Sequence, residues 1–302
     1  MLVSTGWAIP RASNREASKS AGLHVFFIPN RSREVRKAAH IGIDEIHLLK
    51  HTTMWKKLFI LVMVLITSLC AWSADGDTFQ AETPGGVMMK FMVISEAEKT
   101  CAVASDAIDD YTTKGVVTVP EEVKGYKVVE IQPNSFDYSY YITSVSLPNT
   151  LTAIGSYAFS GCTSLTAITL PGSLTAIGDR AFSDCSRLST LNLPSTTTEI
   201  GEYAFSGCYN IQNFIVPEQV TVLNKGVFEG CLTLFNIVLP DGLKIIGDEA
   251  FSDCQYLNAP ELPEGLDSIG KATFYRCYCF TEITIPSTVT RMGGGILNDC
   301  YR

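Results

Sequence analysis

The chain has 302 residues, 46% of them hydrophobic and 18% charged, with a formal net charge of −8. That balance describes an ordered chain able to bury a core, and it excludes a disordered one. With 31 acidic residues against 23 basic ones it also argues against a nucleic-acid partner, because a phosphate backbone selects clusters of Lys and Arg.

The charge is unevenly spread along the chain. Residues 1–53 hold 8 basic and 4 acidic residues and all four histidines, His24, His40, His47 and His51. They show no sustained helical or strand periodicity and read as a non-native or disordered leader. At Met54 a targeting segment begins, MWKKLFILVMVLITSLCAWSAD. Lys56 and Lys57 form its basic end, Leu58 to Leu69 its 12-residue apolar stretch, and Ala71 and Ser73 a small-x-small cleavage site. Residues 54–74 are therefore expected to be a secretory signal, with Met54 the true start and cleavage after Ser73 or Ala74. The apolar stretch falls short of the ~20 residues that cross a bilayer, so no transmembrane span is expected in the mature chain.

After residue 74 the chain carries 13 basic and 27 acidic residues and no histidine. Residues 75–118 read as an N-terminal β cap, in which VMMKFMVISEAEKTCAVAS supplies two short strands joined through the polar SEAEKT turn. From 119 to 302 the chain keeps a strict period. Cys162, Cys185, Cys208, Cys231, Cys254, Cys277 and Cys300 stand 23 residues apart, as do Pro148, Pro171, Pro194, Pro217, Pro240, Pro263 and Pro286. A period in this range with leucines at fixed offsets predicts a leucine-rich-repeat solenoid, an α/β-type horseshoe made mostly of β and turns, of seven to eight coils.

One unit, residues 170–192, reads LPGSLTAIGDRAFSDCSRLSTLN, and four of its offsets are apolar nearly every time. They are the columns of Leu174, Ile177 (ending at Met292), Phe182 (Phe159 to Phe274) and Leu188, and stacked coils would bury them as continuous ladders. Gly155, Gly178, Gly201, Gly247, Gly270 and Gly293 share another offset with Asn224, which predicts a backbone position at positive φ. The residue before each cysteine, Gly161, Asp184, Gly207, Gly230, Asp253, Arg276 or Asp299, predicts a second tight turn. From each cysteine to the next proline the C-x-x-L-x-x-I-x-L spacing predicts a strand, with successive strands forming a parallel sheet on the concave face. Pro260 occupies an inward strand position and should interrupt that ladder, because proline has no N–H to give.

The in-register cysteines are expected to be buried thiols, since stacked parallel side chains meet disulfide geometry poorly. Cys277 and Cys279 form a lone C-x-C without histidine, too little for zinc. No cofactor or metal site is expected, and without histidine no Ser-His or Cys-His pair can be assembled, so the chain is read as not an enzyme. Asp179 with Asp184, and Asp248 with Asp253, read as turn residues. The strand register instead exposes a small, polar, nearly uncharged strip suited to a broad contact. Its candidate binding residues are Thr169, Thr190, Asn192, Asn213, Ile215, Asn236, Val238, Glu261, Glu282 and Thr284. Glu261 and Glu282 bring the only charges to the strip and flank the Pro260 position.

The unit LPxxLTxIGxxAFSxCxxLTxI and the lead-in FMVISEAEKTCAV resemble the BspA-like leucine-rich repeat proteins, the treponemal class, over about residues 79–302. The resemblance implies a secreted or bacterial cell-surface protein that mediates protein–protein interaction or adhesion. Its partner would be an extracellular protein or glycan, such as the host matrix proteins fibronectin or fibrinogen. The alternative is a structural or accessory envelope component without a ligand of its own. Thr197 and Thr273 depart from the usual apolar or small residues.

Overall fold

The computed structural model describes residues 74–110 and 112–300, so the leader over 1–53 and the signal up to residue 73 lie outside the described residues. Strands and turns account for its regular structure, and no helix occurs among the described residues. The first three strands, β1 (Thr78–Glu82), β2 (Met88–Ser95) and β3 (Thr100–Val103), form an antiparallel meander. The SEAEKT segment turns between β2 and β3 with Lys99 at φ 53°. After β4 (Gly115–Thr118) and β5 (Glu122–Val123), β6 (Tyr126–Ile131) pairs parallel with β3 and antiparallel with β5. The meander thus runs directly into the first coil. The β5–β6 hairpin takes up the irregular 28-residue step from Pro120 to Pro148.

Past that hairpin the repeat is already regular. Phe136, 23 residues before Phe159, stacks on it at 5.0 Å, so the aromatic column begins one coil earlier than the sequence pattern indicated.

Three hydrogen-bonded columns run along the stack, two of them with interruptions. On the strand face β4, β7 (Ile142–Ser146) and Ala167–Thr169 pair in parallel, and a single bridge reaches Thr190. A second piece of the same ladder joins Asn213–Ile215 to Asn236–Val238. The next column is a ladder of two-residue strands, in which Ala153–Ile154, Ala176–Ile177 and Glu199–Ile200 follow β6. Val222–Leu223, Ile245–Ile246, Ser268–Ile269 and Arg291–Met292 continue it as a separate sheet. Sequence periodicity had assigned these residues an inward column but no strand.

The third column is the turn side. Each phenylalanine N–H donates to the carbonyl of the next coil, from Phe136 to Ala158 at 2.8 Å through Phe205 to Val227 at 2.9 Å to Phe274 and Ile296 at 3.0 Å. Two residues per coil lie in the left-handed region to aim these amides. One is the residue before the cysteine, as expected: Gly161 at φ 67°, Asp184 at 58° and Arg276 at 58° among them. The other falls four residues earlier and was not anticipated: Tyr157, Arg180, Tyr203, Gly226, Glu249, Ala272 and Gly295, all at φ between 52° and 70°.

The glycine column needs correction. Gly155, Gly178, Gly201, Gly247, Gly270 and Gly293 are absent from the positive-φ residues; what they lack is room. A Cβ on Gly178 would stand 2.5 Å from the Ser156 nitrogen, and one on Gly270 2.3 Å from the Asp248 nitrogen. Each glycine lets its coil press on the backbone of the one before, where its N–H donates to an isoleucine or leucine carbonyl, as from Gly178 to Ile154 at 2.8 Å. Asn224 stands in this column where its side chain makes the contact: Nδ2 donates to the Ile200 carbonyl at 2.6 Å. The two-residue ladder breaks at the same junction. Gly270→Ala should therefore destabilise by about 1–3 kcal/mol, because the clash is with backbone that cannot rotate away. Gly172→Ala, with open space around it, should change stability by less than about 0.5 kcal/mol. Equal thermal midpoints for the two variants would refute the close-approach explanation.

The strand face is also interrupted beyond what Pro260 predicts. Residues 259–261 and 282–284 form no strand, and the last amide bond into the fifth full coil is Asn258 to the Phe235 carbonyl at 3.0 Å. A second break separates residues 190–192 from Asn213–Ile215. It coincides with Phe214, the one aromatic at its inward offset, whose ring wedges against Phe205 at 5.3 Å and Phe228 at 4.7 Å. It coincides too with the widest step of the aromatic column, 5.8 Å from Phe182 to Phe205.

Inside the coils the predicted columns are buried, including Leu174, Ile177, Phe182 and Leu188, while Met292 on the last coil is 60% exposed. Thr197 and Thr273 are also buried. Their hydroxyls donate to the Leu174 carbonyl at 3.4 Å and the Gly270 carbonyl at 2.8 Å. The seven in-register cysteines are free and buried. Each thiol donates to a phenylalanine carbonyl of the preceding coil, as from Cys162 to Phe136 at 3.1 Å and from Cys208 to Phe182 at 3.1 Å. Cysteine thus does two jobs at this offset, filling a small apolar space and supplying a second donor to a carbonyl that already accepts an N–H.

Candidate interaction face

Alternation along each strand decides what the strip presents. Ile168, Leu191, Phe214 and Ile237 point inward and are buried, and the residues on either side point out. All ten candidate residues, Thr169, Thr190, Asn192, Asn213, Ile215, Asn236, Val238, Glu261, Glu282 and Thr284, are exposed. Parallel pairing sets Asn213 beside Asn236 and Ile215 beside Val238 in register. Ile215 at 68% and Val238 at 49% exposure give this stretch an apolar centre flanked by amides.

The remaining members lie across the breaks. Glu261, Glu282 and Thr284 line an open cleft of about 490 Å³ with Pro260, Glu264 and Cys279, where the two coils share no ladder. A larger hollow of about 610 Å³ lies on the other ladder, beside Asn224 and Gly201, and none of the ten lines it.

A residue pattern centred on strands missed a third feature. Phe235 and Tyr256 are 55% and 51% exposed and share a hollow of about 320 Å³ with Gln212, Asn213 and Thr233. The available signal was a break in the repeat itself. At the offset of Phe235 the other coils carry Thr143, Thr166, Ser189, Gln212, Asn258 and Thr281; at that of Tyr256 the first coil carries Tyr141 and the later ones Ser164, Arg187, Asn210, Thr233 and Cys279.

The aspartate pairs behave as turn residues. Asp179 Oδ1 accepts the Glu202 N–H at 2.8 Å and Asp248 Oδ1 the Lys271 N–H at 2.6 Å, while Asp184 and Asp253 occupy left-handed positions at φ 58° and 59°. Burial pushes the in-register thiols up, Cys231 to about 12, away from the thiolate that nucleophilic or metal chemistry would need. No group of three or more His, Cys, Asp or Glu is placed to hold a metal among the described residues. Nor is any helix there long and apolar enough to cross a membrane.

Comparison with known proteins agrees with this architecture. The chain matches a family model described as a BspA type leucine rich repeat region, in six copies, over residues 129–258 and 223–302. It is similar to the crystal structure of a leucine-rich repeat protein of T. pallidum, at 27% identity and TM-score 0.60, over 67% of this chain and 92% of that one. A leucine-rich cell surface protein from Faecalibacterium prausnitzii is 28% identical with TM-score 0.58, over 70% of this chain and 55% of that one. A leucine-rich repeat protein from Bacteroides ovatus is 29% identical with TM-score 0.53, over 68% of this chain and 59% of that one. The chain therefore spans little more than half the length of the latter two. No curated protein gives a significant match. From the 23-residue coils, their stacked phenylalanines and this match over more than half its length, the chain belongs to the family of BspA-type leucine-rich repeat proteins.

Proposed function

We propose that the protein is an exported, non-catalytic interaction module that binds an extracellular macromolecule, a matrix protein such as fibronectin or fibrinogen, through its strand face. The observation that carries this reading is the exposure of all ten strip residues on one face, with an apolar centre at Ile215 and Val238 that the core does not use. The signal sequence from Met54 supports export, as does similarity to a protein described as a cell surface protein. Such a broad, nearly uncharged face suits a shallow contact more than an enclosed substrate pocket.

The test has two parts. Mass spectrometry of material outside the cell should find an N-terminus near Ala74 or Asp75, and one upstream of residue 54 would defeat the export reading. The purified full chain should capture fibronectin or fibrinogen from solution. Asn192→Lys combined with Ile215→Lys should abolish capture, whereas Glu202→Lys on the turn side should not. Capture that survives the first pair would remove the strand face from the function.

A further inference from the structure

We propose that the hollow between Phe235 and Tyr256 is a binding site for a neutral glycan, taking a pyranose ring against its aromatic walls. This goes beyond the matrix-protein reading and does not depend on it.

The repeat supplies the first argument. A solenoid dictates its inward residues and leaves its outward ones free, so an outward residue that departs from its own column serves something other than stacking. Phe235 is such a departure, the one aromatic in its column; on the next coil Tyr256, at an offset where the first coil alone also carries a tyrosine, Tyr141, opens into the same 320 Å³ hollow. Neither ring packs on another ring among the described residues. Single exposed aromatics are ordinary on a protein surface, but two that line one hollow are not.

The other lining residues define the ligand. The side-chain amides of Gln212 and Asn213 have no hydrogen-bond partner among the described residues, leaving two donors and an acceptor each at the rim. Thr233 is already held in place, its hydroxyl donating to the Tyr209 carbonyl at 2.5 Å. No charged side chain lines the hollow. A phosphate, sulfate or uronate would call for Lys or Arg there, and a basic peptide for a carboxylate. A neutral sugar needs neither. Its C–H face covers an aromatic ring, and its hydroxyls both give to and take from amides. The main chain beneath is fixed, since the Phe235 and Asn236 amides both donate to the Gln212 carbonyl, at 2.8 and 3.2 Å.

The experiment titrates the full chain with neutral gluco-, manno-, galacto- and xylo-configured hexasaccharides, and with heparin and hyaluronan fragments, by calorimetry. At least one neutral hexasaccharide should bind at micromolar to millimolar concentration. Phe235→Asn and Tyr256→Thr, residues that other coils already carry at these offsets, should each weaken it by about tenfold or more, while Tyr256→Phe should retain it. Gln212→Ala, which leaves both rings in place, should weaken the same ligand and guards against a ring variant that fails to fold. The proposal is overturned if no neutral hexasaccharide binds, if only the charged fragments do, or if binding survives both ring substitutions. It is equally overturned if those substitutions abolish capture of fibronectin while every sugar is silent, which would make the hollow a protein contact. Asn192→Lys with Ile215→Lys leaves all five lining residues intact, so this site and the matrix-protein reading fail separately.

Discussion

Raising the pH from about 8 to about 10.5 under reducing conditions should unfold the solenoid far more steeply than one titrating group could. Cys101, Cys162, Cys185, Cys208, Cys231, Cys254 and Cys277 are fully buried, and desolvation raises each thiol above its ordinary value, Cys101 and Cys231 to about 12. Below about pH 8 both folded and unfolded chains keep these protons, and the ladder's contribution to stability is complete. Above it the unfolded chain gains by releasing them and the folded chain does not. Stability is then lost as pH climbs toward the folded values, at up to about 1.4 kcal/mol per pH unit for each thiol. Two or three such thiols, one unit above the threshold, already remove a few kcal/mol, a large part of a typical folding margin. Urea titrations at a series of pH values measure this directly. Cys208→Ala should reduce the slope by about one proton, and a midpoint unchanged across the range would show that the thiols do not titrate on unfolding.

The second large effect is expected at Phe205. Its ring stacks on Phe182 at 5.8 Å and Phe228 at 5.5 Å and meets Phe214 at 5.3 Å, so truncation empties the middle of a continuous aromatic column. Phe205→Ala should cost about 3–5 kcal/mol, because coils tied by their turn-side hydrogen bonds cannot close the space. Its neighbour Ser206 is half-buried, with its hydroxyl 3.5 Å from Glu229 Oε2. That contact is long and weak, so Ser206→Ala should still change stability by less than about 0.5 kcal/mol. Equal shifts of the urea midpoint in the two variants would overthrow the assigned register.

What was legible in the sequence, and what was not, follows from the kind of constraint each residue obeys. Columns set by burial were plain, since Phe182 or Leu188 can be replaced only by something of similar size and polarity. Columns set by backbone direction were half plain. Gly161 and Asp184 announce a left-handed turn, but Tyr157, Arg180 and Ala272 adopt one without any residue type to mark it. Glycine itself was ambiguous, because the same residue serves a positive φ at Gly230 and a close approach at Gly178.

For the candidate face, alternation alone placed all ten strip residues outside. It could not show where the ladder parts. The break before Asn213 coincides with Phe214, which looks like any other apolar residue until the coils are stacked. Phe235 and Tyr256 escaped for a different reason: they lie within the predicted Cys-to-Pro segments, but ahead of the two positions flanking the inward residue from which the strip was drawn.

The close approach at the glycine column also governs how such a protein can change its length. Gly270 leans on Asp248 and Gly293 on Lys271, each contact joining a residue to one set by the preceding coil. Adding or deleting one residue within a coil would put the next glycine out of step with its seat and set a side chain against backbone at that junction. A whole 23-residue unit, gained or lost by unequal exchange between neighbouring copies, restores every seat at once. Inheritance can therefore lengthen this molecule in quanta of one coil. Smaller insertions are confined to places such as the β5–β6 hairpin, where extra residues loop outside the stack.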